Sequence, residues 1–442
     1  MGIDRAADAA RLRRALAANP QDRVGWHNLA AAEGDLGHAA EAEAAARRAL
    51  ALGIPAPETR LVLARALQDL NRLDEAERMF EEALARRPTY PDAHRDLAQL
   101  RWMRTGVVSE ALRALDDALR GAPREVPLHF VRSVAQEFTG DKPGALASAE
   151  AGLGFAPNDL QLLRAASHLC AELGQGSQAV AFARRAVAAA PGLAPVQITL
   201  CEAHLASGDI VQAEEIAARL CATNPNDQHP IAMRATAWRL LGDPRYESLY
   251  DYARLTHAGA VDAPLEELAM DLAALHRYRA HPFQQSVRGG GQLPLNAKEL
   301  ARPSIRALFD SLRAAVERHL ARVGAGADPF RSRNTGRFAF AGAWSVRLSS
   351  GGYHTDHVHQ RGWLSSAFYV SLPPVMKPEA AHAGWLRLGR PGITTQPPLE
   401  PDYRVKPEPG KLVLFPSYMW HGVEPFESDA PRLTVAFDAL PA

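Results

Sequence analysis

The sequence predicts a multidomain chain: an all-α helical solenoid, then a jelly-roll β domain with flanking helices. Three observations predict it. Landmark residues recur about every 34 positions through the first half. The alanine-rich helical beat stops near residue 257. Beyond residue 337, short stretches alternate apolar and polar residues between glycine and proline punctuation. The expected division is residues 1–256 for the array and 257–442 for the β domain.

The array is read from its landmarks. Prolines fall at Pro88, Pro123, Pro157, Pro191 and Pro225, in steps of 35, 34, 34 and 34. Glycines fall at Gly37, Gly106, Gly140, Gly174, Gly208 and Gly242, with Asn71 in the one gap. Alanines follow the beat at Ala42, Ala76, Ala111, Ala145, Ala179 and Ala213. Each unit is then a helix, a turn, a second helix and a proline that stops it. Small residues are needed where two helices touch. Ala30, Ala64, Ser133, Ser167 and Cys201 hold one such place, and Ala49, Ala83, Ala118, Gly152 and Ala186 another. Cys201 is therefore a packing residue, and the scattered His27, His94 and His168 are surface or packing residues. In the seventh unit Gly242 survives, but Glu247 stands where alanine is expected. An atypical last unit is normal for a stacked array. The period and the paired helices resemble the tetratricopeptide repeat. That resemblance implies a curved surface for a protein or peptide partner, with no chemistry of its own.

The second half changes character. "PLEELAMDLAALHRYR" and "SIRALFDSLRAAVERHLARV" read as helices. Residues 338–349, 363–373, 384–389, 410–416 and 431–440 read as strands, with Trp344, Val346 and Leu348 on one face. Several short strands with turn signals imply a sandwich or jelly-roll. Into this falls "GGYHTDHVHQRGW", where a strand is expected to end and a loop to begin. By strand alternation His354 and Asp356 share one face, and His357 and His359 share the other. Only one pair can face the interior. His421, in "PSYMWHGVEP", supplies a distant third ligand. Two close ligands plus one distant histidine leave open positions for substrate and oxygen, as at a non-haem iron(II) site.

"QSVRGGGQ", "HVHQRGWLSSAFYVSLP" and "PGKLVLFPSYMWHGVEPF…RLTVAFDAL" resemble the iron(II)/2-oxoglutarate dioxygenases over roughly 275–442. The resemblance implies a double-stranded β-helix that uses Fe(II), 2-oxoglutarate and molecular oxygen to hydroxylate a substrate. The wider superfamily pattern selects His354, Asp356 and His421. The branch in which a His-x-His pair precedes an "LSS-FYV" strand selects His357, His359 and His421, the set expected to hold the metal. Asp356 is then expected to orient an imidazole, and His354 to lie beside the ligands or toward the substrate. Arg432, eleven positions after His421, matches the arginine that binds the far carboxylate of 2-oxoglutarate, with Thr434 beside it. Tyr369 and Trp420 read as wall and core aromatics, with Tyr369 also a candidate to hydrogen-bond the cosubstrate. Arg288 is a candidate for the mouth of the site. Two rival readings are a non-catalytic repeat adaptor with a relic barrel and a cupin-like three-histidine dioxygenase without 2-oxoglutarate.

Composition narrows the setting. Lys+Arg and Asp+Glu are both 50, so no charge excess points to nucleic acid or an anionic membrane. "MGIDRAADAARLRR" lacks the apolar core of a signal peptide, and no run approaches the roughly 20 apolar residues of a membrane span. Cys170, Cys201 and Cys221 make no disulfide framework, so a reducing cytoplasm is the expected home.

Overall fold

The computed structural model describes residues 5–442. The first four, part of the stretch read for a leader, lie outside the described residues. Paired helices run from Arg23 to Leu249, and strands begin at His257. The turn landmarks do what their chemistry allows. Gly106, Gly208 and Gly242 cap helices in the left-handed region, at φ 71°, 87° and 67°. Asn71, in the gap of the glycine series, takes the same conformation at φ 60°. Asparagine is one of the few side chains that tolerates it. Ala30, Ala64 and Cys201 are fully buried at the helix contacts, where larger side chains would force the pair apart.

The chain forms two compact units, Met1–Thr139 and Gly140–Ala442. In the first unit, Arg65, Asp69, Asp96 and Gln99 line an open groove of about 340 Å³ on the first helices of successive repeats. The second unit contains later repeats together with all the strands among the described residues. Those are β1 (His257–Ala260), β2 (Val287–Pro294), β3 (Phe338–His357), β4 (Leu364–Ser371), β5 (Leu386–Leu388), β6 (Tyr403–Val405), β7 (Lys411–Pro416), β8 (His421–Val423) and β9 (Arg432–Pro441). They pair antiparallel in the order β1-β7-β4-β9-β3-β8-β5-β6, with β2 on β3. β3 is the pivot of this nearly closed sheet. Its first part pairs with β9 and its last part with β8. Helix Pro303–Val323 covers the outside, where Phe309 meets Phe340 and Phe437 edge-on or tilted.

The β-rich region shares its core with the last repeat. Ile231, Ala235, Leu249, Tyr250 and Leu255 belong to one buried cluster with Val346, Leu412 and Phe415. An irregular segment, residues 389–398, leaves β5 and crosses the first helices of three repeats: Leu160–Glu172, Ala194–Ser207 and Gln228–Leu241. Ile393 packs with Ile198, Cys201, Leu205 and Met233. Thr394 Oγ1 donates to Glu172 (3.2 Å), and Gln396 N–H donates to the Leu205 carbonyl (3.0 Å). Arg239 donates to the Gly389 carbonyl at 3.0 Å. The other end of the segment touches the site: a Cβ on Gly392 would lie 1.8 Å from the Asp356 carbonyl oxygen.

Candidate metal centre

Two differences from the sequence reading shape the site. β3 runs on to His357, so "HTDH" belongs to a strand rather than to a loop. A register shift between His354 and His357 breaks the alternation along β8. His354 and His357 therefore lie on the same side, their rings stacked at 6.1 Å. Asp356 points elsewhere.

His357, at the end of β3, pairs across the sheet with His421, the first residue of β8. His359 follows in the loop, its N–H donating to the Ser417 carbonyl at 3.2 Å. The three side chains bring one ligand atom each to within 4.8 Å of the others. Their Nδ1 atoms all face acceptors. That of His357 meets the Thr355 carbonyl (2.9 Å), that of His421 the Met419 carbonyl (2.9 Å), and that of His359 the Asp438 carboxylate (2.5 Å). A carbonyl can only accept, so Nδ1 carries the proton and the Nε2 lone pair is left free. The Nε2 atoms of His357 and His359 stand 3.2 Å apart. Burial, and then His359, pushes His357 down to about 3. Burial and the neighbouring imidazoles also hold His421 well below the usual histidine range. Both are neutral imidazoles at physiological pH.

Arg432 and Thr434 project from β9 on the same side, and Thr434 lies opposite Tyr369 of β4. The Arg432 guanidinium is 2% exposed and stands 5.1 Å from the Tyr369 ring centroid. It donates from Nη1 to the Gly384 carbonyl at 2.8 Å. Its Nε–H and the Tyr369 hydroxyl are buried with no hydrogen-bond partner among the described residues. Arg432 is one of the charges that disfavour protonation of His354, after burial and His357. The cation and the histidines thus share one interior.

Residues 342–438 match the family described as "Putative 2OG-Fe(II) oxygenase". Residues 57–100 and 171–236 match two tetratricopeptide repeat families. The chain joins tetratricopeptide repeats to a C-terminal domain of the kind that this oxygenase family model describes. No curated protein matches it. Among solved structures, a thermophilic tetratricopeptide repeat protein of Thermus thermophilus is 24% identical, covering 41% of this chain and 99% of its own, at a TM-score of 0.33. A tetratricopeptide repeat protein from Parabacteroides merdae is 16% identical, covering 53% and 92%, at a TM-score of 0.39.

The remaining polar residues of the oxygenase domain divide into two groups. Asp356, expected to orient an imidazole, instead receives Arg387 through two bonds (2.8 and 2.9 Å) and Arg390 at 2.7 Å. Arg387, 1% exposed, also reaches Glu424 (2.8 Å) and the Val423 carbonyl (3.0 Å). This buried network ties β3 to β5 and β8. The carboxylate that does meet a candidate ligand is Asp438, and Ser365 Oγ donates to it at 2.8 Å. Sequence reasoning missed Asp438, although it shares the inward parity of Arg432 and Thr434 on β9. His354 turns its Nδ1 to the Ser286 hydroxyl (3.0 Å), beside rather than within the triad. Trp344 also faces inward, with its ring 5.4 Å from His359. Arg288 folds back onto the carbonyls of Gln285 and Val287. The glycine run beside it serves close strand approach, since a Cβ on Gly290 would sit 2.2 Å from the Arg347 carbonyl oxygen.

Proposed function

We propose that the C-terminal domain is an iron(II)- and 2-oxoglutarate-dependent dioxygenase, a hydroxylase whose ligands are His357, His359 and His421. The convergence of three Nε2 lone pairs, each set by a partner on Nδ1, carries this reading. The Nε2 atoms of His357 and His359, 3.2 Å apart, lie within reach of one ion, and all three histidines bring a ligand atom to one point, so the donor set fits a metal. Imidazole suits iron among other metals, and an Nδ1 partner fixes the ring and raises its basicity. Bound iron(II) would supply oxygen activation: one oxygen atom goes to the substrate, the other to succinate, and 2-oxoglutarate loses CO₂.

The protein's own residues do the rest. Three imidazole ligands give the metal no anionic donor of their own, with the Asp438 carboxylate standing behind His359, so a dianionic cosubstrate is favoured. Arg432 offers a buried fork for its far carboxylate, and Tyr369 and Thr434 offer hydroxyls beside it. Asp438 holds the His359 ring. The repeats support a protein or peptide substrate, and the open groove of the first unit is a surface for it. Cys170, Cys201 and Cys221 are free thiols, which fits a cytoplasmic setting. No helix among the described residues is long and apolar enough to cross a membrane.

The test is succinate release by the full chain with iron(II), 2-oxoglutarate and oxygen. We expect turnover that disappears in His357→Ala and in His421→Ala. A folded, iron-loaded protein that releases no succinate would favour an adaptor. Oxygen consumption independent of 2-oxoglutarate would favour a three-histidine enzyme of another type.

A further inference from the structure

β8 is three residues long, with His421 paired to His357 on β3 and to Leu388 on β5. The turn before it, residues 417–420, is held in addition from the repeat side. The indole N–H of Trp420 donates to Thr236 Oγ1 (3.0 Å) and to the Ala232 carbonyl (3.3 Å). Thr236 spends its own proton on the same carbonyl (2.9 Å), so its oxygen is free to accept. The Trp420 backbone N–H donates to Tyr250 Oη (3.2 Å), whose hydroxyl donates to the Tyr418 carbonyl (2.9 Å). Tyr418 donates in turn to the Leu249 carbonyl (3.0 Å). His229 meets the Trp420 ring edge-on at 5.8 Å. Thr236, Tyr250, Tyr418 and Trp420 are all buried, so water does not replace a lost partner.

We propose that Thr236 and Tyr250, residues of the last repeat, are positioning residues for the metal centre. They fix the turn that carries the Met419 carbonyl, and that carbonyl sets the tautomer and orientation of His421. This also explains why the seventh unit departs from the repeat. Its second helix, Arg245–Leu249, stops after five residues, and the chain leaves it at Tyr250, directly against the turn. A full-length alanine-rich helix would carry no hydroxyl there. The inference rests on the metal reading given above, and the experiment separates the two.

The probe is Co(II), titrated into the metal-free full chain and followed by its visible absorption, with thermal unfolding of each metal-free variant alongside. Thr236→Val keeps shape and removes the acceptor; Thr236→Ser restores it; Tyr250→Phe removes the second link. We expect Thr236→Val and Tyr250→Phe to weaken Co(II) binding about 10–100-fold, the range for outer partners of metal ligands, and to alter the spectrum. Thr236→Ser should return both to wild type. A merely structural role would lower the unfolding temperature while the surviving folded protein kept the wild-type spectrum and affinity, and that result would overturn the proposal. If Thr236→Val fails to fold, Tyr250→Phe decides by the same criterion. If His357→Ala binds Co(II) as tightly as wild type does, the metal reading itself falls, and this inference with it.

Discussion

Replacing Arg432 by methionine should move stability and cosubstrate affinity in opposite directions. The side chain is 2% exposed, and among the described residues no carboxylate neutralises it; burial pushes its pKa down and only Tyr369 opposes that. An unpaired buried charge carries an effective penalty of several kcal/mol. Against this stand one charge-assisted bond to Gly384, about 1.5–3 kcal/mol, and the tyrosine ring, up to about 2 kcal/mol when desolvated. The terms nearly cancel, so Arg432→Met should leave the ligand-free protein as stable as wild type or about 1 kcal/mol more stable. Binding of 2-oxoglutarate loses its only proposed buried cationic partner. That costs about 2–5 kcal/mol, or roughly 30-fold to several thousand-fold in affinity. Calorimetric titration of 2-oxoglutarate into the Mn(II)-loaded chain, with urea melts of the metal-free chain, reads both quantities. An unchanged affinity together with a loss of several kcal/mol in stability would refute the reasoning, making Arg432 a structural clasp on the Gly384 carbonyl.

Two further outcomes follow from the site's carboxylates and from a buried histidine. Asp438→Asn should weaken metal binding about 10–100-fold, whereas Asp356→Asn should spare it and cost about 3 kcal/mol of stability by leaving Arg387 underpaired; a competitive metal titration with the reverse ranking would return Asp356 to the metal centre. His319 is 2% exposed, and burial, then Arg322 and His257, push it down to about 3. Below its usual 6.5 the unfolded chain takes up a proton that the native chain refuses. Its contribution is therefore complete above about pH 6.5 and shrinks as pH falls toward 3, by about 2 kcal/mol at pH 5. His319→Gln should flatten that part of the pH dependence in urea midpoints, and an identical slope in the variant would contradict it.

The parts of the fold that were legible are those whose chemistry repeats. Turn glycines, the asparagine that replaces one of them, and small contact residues print the solenoid into the sequence every 34 positions. β3, β4, β7 and β9 are long enough to alternate. β1, β6 and β8 have three or four residues, too few for a period, and β2 is interrupted by glycines chosen for backbone approach. The histidine triad was found through resemblance, while alternation alone misjudged its surroundings. The bulge between His354 and His357 turned Asp356 toward Arg387, an event set by pairing with β8 rather than by local sequence. Asp438 was within reach, two steps of alternation beyond Thr434. The anchoring of Trp420 by Thr236 was not, because it depends on a tertiary contact 184 residues apart in the chain.

The segment that lies across the first helices of the last three repeats covers that face with the chain's own residues. Ile393, Thr394 and Gln396 hold places that an incoming chain would need, and they are tethered at both ends. A short tether gives its occupant an effective concentration in the millimolar range. A free peptide competing for the same face would see its apparent affinity divided by the small fraction of time the segment is away. Displacement would also pull on Gly392 and Arg390, and so on the strand end that carries His357. Recruitment at that face and integrity of the histidine cluster are thus set against each other. A partner that spares the centre would bind away from that face, and the open groove of the first repeats is one such surface.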